Sequence, residues 1–337
     1  MIHPIPPGTR DVLPDEMREL RRLHLALIDV FERFGYGEVR TPAIEYDEVL
    51  ARGGGRGGTP YRFFDEQGAL LALRSDMTVP IARMVASGRM RGGPPHRLCY
   101  IAPAYRAVRP QRGQMREFTQ GGVELIGAPA PEGTAEVVEV LEAALDAAGL
   151  TRAVIGLGDA DLYRQLLTEL GVGGEDREAA LRLLETHDIV GLERMLTSLP
   201  GVDSGDAETL VALSQLRGGE EVLAEARSLG GQAVERAGAR IEATYGALRE
   251  RGAADRVQID LGLLRDLGYY SGAILQVYDP ALGHVLGGGG RYDGLMSRFG
   301  ADLPAAGFTL YLERAHVAQM EEERLASSEP AGGEGEA

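Results

Sequence analysis

A chain of 337 residues, 44% of them apolar and 26% charged, has the composition of a folded globular protein and length for one large domain or two. Its formal net charge of -16 argues against broad binding to nucleic-acid phosphates, because that affinity comes from Lys and Arg. The single cysteine, Cys99, excludes an intrachain disulfide and fits a reducing, cytoplasmic setting. The start, Met1 to Pro7, has neither a basic stretch nor an apolar h-region, and no apolar run is long enough to span a membrane. His3, His24, His96, His187, His284 and His316 are scattered without ligand spacing, so no metal or other cofactor is assigned.

From Asp15 to Phe34 the apolar residues Leu20, Leu23, Leu27, Val30, Phe31 and Phe34 recur at the spacing of an amphipathic helix, and Gly35 ends it. A short strand follows at Glu38 to Thr41, closed by Pro42, which cannot donate in a ladder. Residues 53–58, five glycines and Arg56, predict a mobile loop. Strands are predicted at Tyr61 to Phe64, Leu70 to Arg74, Arg97 to Tyr105 and Glu117 to Ile126, with hairpin-length connections that imply antiparallel pairing. A helix from Gly133 to Ala148 precedes a strand at Val154 to Gly158. That strand enters a glycine turn with Asp161 where a dinucleotide fingerprint needs its third glycine, so an Asp159-capped helix is the better reading.

The stretch 159–252 is rich in Leu, Ala, Glu and Arg and reads as a packet of short helices inserted into a sheet domain. Strand character returns at Val257 to Leu261, Ile274 to Tyr278 and Gly307 to Leu310. The expected organisation is therefore a core in two parts, 1–158 and 253–320, around a helical insertion at 159–252, with an acidic disordered tail at 321–337.

Four segments carry the chemistry. They are Leu73-Arg74-Ser75-Asp76-Met77-Thr78; Tyr105-Arg106 through Arg116-Glu117-Phe118-Thr119-Gln120-Gly121-Gly122-Val123-Glu124; Arg265-Asp266-Leu267-Gly268-Tyr269-Tyr270; and Gly287-Gly288-Gly289-Gly290-Arg291-Tyr292-Asp293. Singly each has a plain alternative: a Tyr-Tyr pair is a common half-buried strand element, and an Arg-Tyr-Asp after glycines is a common turn. In this order, followed by Glu313-Arg314, they resemble the pocket segments and class II motifs of histidyl-tRNA synthetase. The resemblance runs from about Pro4 to Arg314 and is loosest in the insertion.

The resemblance implies an α+β fold: a class II aminoacyl-tRNA synthetase-like core with a mixed, mostly antiparallel sheet flanked by helices. It implies a histidine pocket in which Asp76 and Thr78 hold the α-ammonium and Arg106 clamps the carboxylate. Gln120 and Glu124 face the ligand from one side of a strand, Tyr269 and Tyr270 close on it, and Arg265 stands where the synthetase keeps an activating arginine. Departures lie on both sides of the site: Ser75, Asp76 and Met77 replace a proline, a glutamate and a glycine, Asp266 and Gly268 stand in the place of Gly and Asp, and two more lie on the nucleotide side. Val108 occupies the place of the glutamate that holds adenine, a loss of about 1.5 to 3 kcal/mol, and Gln114 replaces an arginine. The residues after Arg314 are fewer than the roughly 100 of an anticodon-binding domain.

This combination looks like the regulatory subunit of ATP phosphoribosyltransferase, a synthetase paralogue of histidine biosynthesis. The implied function is non-catalytic: L-histidine binding that mediates feedback inhibition and activation of a short-form catalytic subunit, within a hetero-oligomer built on a homodimer, without nucleic acid or membrane. The alternative is a truncated histidyl-tRNA synthetase-like enzyme that activates histidine with ATP.

Overall fold

The computed structural model describes residues 5–54, 59–108, 115–264, 268–280 and 283–328. In chain order the elements are α1 (Pro14–Arg33), β1 (Gly37–Glu38), β2 (Ile44–Tyr46), α2 (Asp47–Arg52), β3 (Arg62–Phe64), β4 (Leu70–Leu73), α3 (Thr78–Ala86), β5 (His96–Tyr105), β6 (Glu117–Ile126), α4 (Glu132–Ala147) and β7 (Val154–Asp159). Then come α5 (Leu162–Glu169), α6 (Gly174–Glu185), α7 (Ile189–Thr197), α8 (Ser204–Gln215), β8 (Arg217–Gly218), α9 (Glu221–Leu229) and α10 (Gln232–Arg251). The chain closes with β9 (Val257–Asp260), β10 (Ala273–Asp279), β11 (His284–Arg291), α11 (Asp293–Ser297), β12 (Ala305–Tyr311) and α12 (Leu312–Ser328).

Nine strands form one sheet in the order β1-β5-β6-β12-β11-β10-β7-β9-β8, and β2-β4-β3 form a small second sheet. Only β1 with β5 and β7 with β9 pair in parallel; the other ladders are antiparallel. This is the mixed, mostly antiparallel α+β architecture expected from the sequence. Among the described residues no helix is long and apolar enough to cross a membrane.

The large sheet separates two apolar cores, and strand alternation sorts residues between them. On one side Cys99, Val123, Leu125, Leu275, Val277 and Phe308 meet Leu23, Leu27 and Phe31 of α1 and Val137, Val138 and Leu141 of α4. On the other side Leu98, Tyr100, Ala102 and Ile274 join Met77, Ile81, Tyr269, Tyr270, Tyr292, Leu295 and Met296. The pocket described below opens within this second core.

Local chemistry explains the ends of the elements. Pro14 occupies the first turn of α1 with Asp15 and Glu16, where a missing N–H costs nothing and negative charge suits the helix dipole. Gly35 follows at φ +81°, a left-handed conformation that glycine adopts without strain.

The helices of 159–252 do not form a separate core. Leu162, Leu166, Leu210, Ala237, Ile241 and Leu248 belong to the same cluster as α4 and the sheet, and β8 adds an edge strand by pairing with β9. Asp159 caps no helix in the expected way. Its buried carboxylate accepts from the Asp161 amide at 3.0 Å and takes both ends of Arg240 of α10, at 2.7 and 2.8 Å.

The start of the predicted tail also needs correction, since residues 321–328 continue α12. Glu322 there accepts from Thr151 N and Oγ1 at 2.9 and 2.6 Å and from Arg152 N at 3.1 Å, so an acidic residue is used as an internal cap. Of the glycine-rich loop, residues 55–58 lie outside the described residues, as do residues 329–337.

Removing Arg240 would leave the Asp159 carboxylate buried without its cation. Breaking a buried pair typically costs 3 to 5 kcal/mol; because Arg240 is partly exposed we expect Arg240→Ala to destabilise the protein by about 2 kcal/mol, read as a lower urea midpoint at unchanged m-value. Asp159→Asn in the Arg240→Ala background should recover part of that loss.

Candidate functional site

One pocket gathers Asp76, Thr78, Arg106, Gln120, Glu124, Tyr269 and Tyr270, together with Tyr100, Gly288, Tyr292, Gly307, Thr309 and Tyr311. Seven of the eight residues singled out in the sequence thus line a single cavity although they come from three separate segments. The eighth, Arg265, lies outside the described residues.

Glu124 sits at the centre. It is 1% exposed and accepts from three hydroxyls: Thr78 Oγ1 at 2.7 Å and Tyr100 OH at 3.4 Å on Oε1, and Tyr292 OH on Oε2. Among the described residues it has no ion pair. Burial pushes its carboxyl up to about 8, against the pull of the Tyr292 and Thr78 hydroxyls, and the charge of Asp76 adds to the push.

Asp76, at the entry to α3, accepts from the Val79 amide at 3.1 Å. Its pKa too is raised by burial, with the Val79 amide and the Arg106 charge opposing the shift.

Gln120 is 1% exposed and carries a buried side-chain oxygen with no partner among the described residues. An orphaned polar atom aimed into a cavity is uncommon in folded proteins and points to a missing donor. Gln120 and Glu124 share this face because residues four apart in a strand project the same way.

Arg106 provides the positive side. Its Nε donates to the Ser75 carbonyl at 3.2 Å, and its guanidinium lies 4.9 Å from the centre of the Phe118 ring; a guanidinium can offer its Nη groups as a fork to a carboxylate. The tyrosines supply the walls: the Tyr269 and Tyr270 ring centres are 5.0 Å apart, and Tyr292 meets Tyr269 edge-on at 6.0 Å.

Glycine makes the floor. A Cβ on Gly307 would run into Glu124 Oε2 and the Val123 carbonyl, and one on Gly122 would meet the Phe308 carbonyl and, at 2.9 Å, the Tyr100 hydroxyl. Gly287 and Gly289 are closed in the same way by the backbone of β12.

Other motif residues serve the frame. Arg291, 3% exposed, is tied to Asp293 and donates to the Ala128 carbonyl at 3.2 Å and Thr134 Oγ1 at 3.3 Å. Arg74 holds the Thr41 and Pro103 carbonyls, each at 2.8 Å. Glu313 accepts from the Thr119 amide at 2.9 and 3.0 Å, while Arg314 donates to the Val285 carbonyl at 2.8 Å and lies 4.9 Å from the Tyr311 ring centre. Residues 109–114, between Val108 and β6, are outside the described residues.

The sequence reading missed Tyr100, whose apolar run looks like plain core, and did not choose Tyr292 from within its own motif. The signal for Tyr292 was available, because an Arg-Tyr-Asp turn rarely needs an aromatic ring for its geometry.

With fold and pocket defined, comparison with known proteins becomes informative. Residues 8–315 match the family model for histidyl-tRNA synthetase, which sets the class as synthetase-like. A crystal structure from Bacillus halodurans, described as an ATP phosphoribosyltransferase regulatory subunit/histidyl-tRNA synthetase, superposes with a TM-score of 0.85 at 33% identity, covering 95% of this chain and 84% of that one. A histidine–tRNA ligase subunit from Alicyclobacillus acidocaldarius gives 0.80 at 30% identity, covering 96% and 99%.

The ATP phosphoribosyltransferase regulatory subunit of Moorella thermoacetica is 39% identical over 320 residues, 94% of this chain and 82% of that protein. Its counterpart in Symbiobacterium thermophilum is 40% identical over 328 residues, 96% and 82%. The chain belongs to the ATP phosphoribosyltransferase regulatory subunit family.

The state of Glu124 predicts a pH effect with a definite sign. A carboxyl ordinarily near 4.5 but raised to about 8 in the folded protein is protonated when folded and ionised when unfolded between those values. Its contribution is therefore complete below 4.5 and is lost as pH rises through 8. Glu124→Gln removes the dependence, so the stability of the variant relative to the parent should rise across this window, by at most about 1.4 kcal/mol per pH unit. Denaturant titrations at several pH values would check it, and parallel curves for the two proteins would contradict it.

Proposed function

We propose that this chain is a non-catalytic regulatory subunit that binds free L-histidine in the pocket and reports it to a separate, short-form ATP phosphoribosyltransferase catalytic chain. Histidine then acts as a feedback inhibitor of the first step of its own synthesis, and association with the regulatory chain activates the enzyme. The observation that carries the reading is the buried Glu124 carboxyl, ringed by hydroxyls and lacking an ion pair among the described residues, in a pocket that also offers an arginine fork and an aromatic wall.

A free amino acid needs a cation for its carboxylate, an anion for its ammonium and polar groups matched to its side chain. Arg106 meets the first need, Asp76 with Thr78 the second. Glu124 and the unpartnered Gln120 oxygen give acceptors for N–H groups, and Tyr269 and Tyr270 present ring faces to a flat imidazole. Leucine or phenylalanine would bring no N–H donor to Glu124 or to the Gln120 oxygen, and a site built to hydrogen-bond a ligand rejects analogues that lack those groups by large factors. The names of the relatives support the regulatory role and a catalytic partner.

A second reading, histidine activation with ATP, is favoured by the retained Arg106 and by the likeness to a histidine–tRNA ligase subunit. Against it, Val108 offers no side-chain acceptor for the adenine amino group; its carbonyl is already bonded by Arg116 Nε at 3.2 Å. Histidine-dependent exchange of pyrophosphate into ATP by the isolated chain would establish this second reading in place of the first.

Calorimetric titration with histidine should show binding, and Glu124→Ala should weaken it more than tenfold at unchanged fold, since a polar group of the buried ligand loses its partner. Added to the catalytic chain, the parent protein should raise its activity and render it sensitive to histidine. Failure of the parent to bind histidine, or no effect on the catalytic chain, would refute the proposal.

A further inference from the structure

The segment that carries Tyr269 and Tyr270 is fastened at both ends. At its far end the Ser271 amide donates to the Arg291 carbonyl at 2.8 Å, and the Asp293 amide donates to Ser271 Oγ at 3.1 Å. At its near end stands a single exposed side chain, Arg298, which caps α11. Arg298 Nη2 donates to the Gly268 carbonyl and Nη1 to the Arg52 carbonyl at the end of α2, both at 2.9 Å. One guanidinium thus joins the end of α2 to the residue that precedes the tyrosine pair.

The two segments are also in close backbone contact. Gly54 and Gly268 have φ of +97° and +68°, and a Cβ on either would meet the other's backbone, at 3.1 and 3.3 Å. Contact this close is open to glycine alone, and the arginine holds it shut. The Arg52 guanidinium in turn lies 5.9 Å from the centre of the Phe299 ring, next to Arg298.

The helix that presents Arg298 is anchored in the site itself. Its N-terminal neighbour Tyr292 donates to Glu124, and Leu295 and Met296 are fully buried. Whatever engages Glu124 therefore works on one end of a five-residue helix whose other end holds the tyrosine segment.

We infer that Arg298 is a positioning residue that clasps the Gly268–Tyr270 segment over the bound ligand and sets how long the ligand stays. This rests on the reading of the pocket as a histidine site. Arg298 touches no ligand. It acts through Tyr269 and Tyr270, so its loss should speed departure more than it slows entry.

The test has two arms. With tyrosine fluorescence, which no tryptophan masks in this chain, stopped-flow on the full chain should show histidine leaving Arg298→Ala about three- to tenfold faster than the parent. That range suits two charge-assisted but solvent-exposed hydrogen bonds. The association rate and the unfolding midpoint of the ligand-free protein should not change, and Arg298→Lys, able to reach one carbonyl, should recover part of the residence time.

In the second arm, amide hydrogen exchange without ligand should be faster across 268–272 in Arg298→Ala and unchanged across 293–297. Equal dissociation rates, or equal exchange across 268–272, overturn the clasp. If the parent binds no histidine, the ligand assignment fails and the exchange arm alone decides the clasp. If Arg298→Ala does not fold, Arg298→Lys and Arg298→Gln serve for both measurements, with intermediate effects expected and none overturning the inference.

Discussion

A carboxyl group buried in the middle of a sheet, with hydroxyls for partners, is the constraint around which this molecule is arranged. Taking an ionised carboxylate out of water costs several kcal/mol even after the protein relaxes, so Glu124 must be protonated, hydrogen-bonded or matched by a cation. Thr78, Tyr100 and Tyr292 supply the hydrogen bonds, and they come from three different elements. Strand β6 must therefore stay in register with β5 on one side and β12 on the other while α3 and α11 close from above. Glycines at 122 and 307 follow from the same demand, because any side chain there would occupy the space of the carboxylate or its tyrosine partner.

The sheet serves as a partition as well as a floor. Its helix-covered face holds the large core that joins α1, α4, α12 and the inserted helices, and its other face holds the pocket. Between them runs a short path. The Ala160 amide donates at 2.7 Å to the Gly272 carbonyl, just after the tyrosine pair, and the neighbouring Asp159 is gripped by Arg240 of the insertion. The pocket wall and the inserted helices thus meet at two consecutive residues, Asp159 at the end of β7 and Ala160 just after it, so a shift in either has a rigid element through which to act on the other.

Much of this was legible in the sequence where one periodicity dominates. The spacing of Leu20, Leu23 and Leu27 fixed α1 to within a residue at each end, and alternation placed β5 and β6 and set Gln120 beside Glu124. What escaped did so for physical reasons. Strand β11 is built on four glycines, which have little strand propensity of their own, and it exists because β10 and β12 pair with it on both sides. Tyr100 lies in an apolar run where its hydroxyl gives no sign of having a partner. Residues 321–323 are acidic and look solvated, yet Glu322 is turned inward by two backbone amides that no local pattern reveals. The pocket residues came from resemblance between segments, since neither period nor composition could bring together positions almost two hundred residues apart.

A site that reports a ligand needs two states that the ligand tells apart. Burial favours the neutral form of Glu124, with Asp76 pushed the same way. A ligand bringing positive charge and N–H donors would favour the ionised form of the same group, and would change the demands on three hydroxyls at once. Tyr292 is one of them, and α11, which follows it, ends at Arg298 and its bond to the Gly268 carbonyl. A difference of only about 1 to 3 kcal/mol between the two arrangements is enough to couple distant sites. Because such coupling is reciprocal, a partner that prefers the ligand-free arrangement would weaken the ligand by the same factor that the ligand weakens the partner.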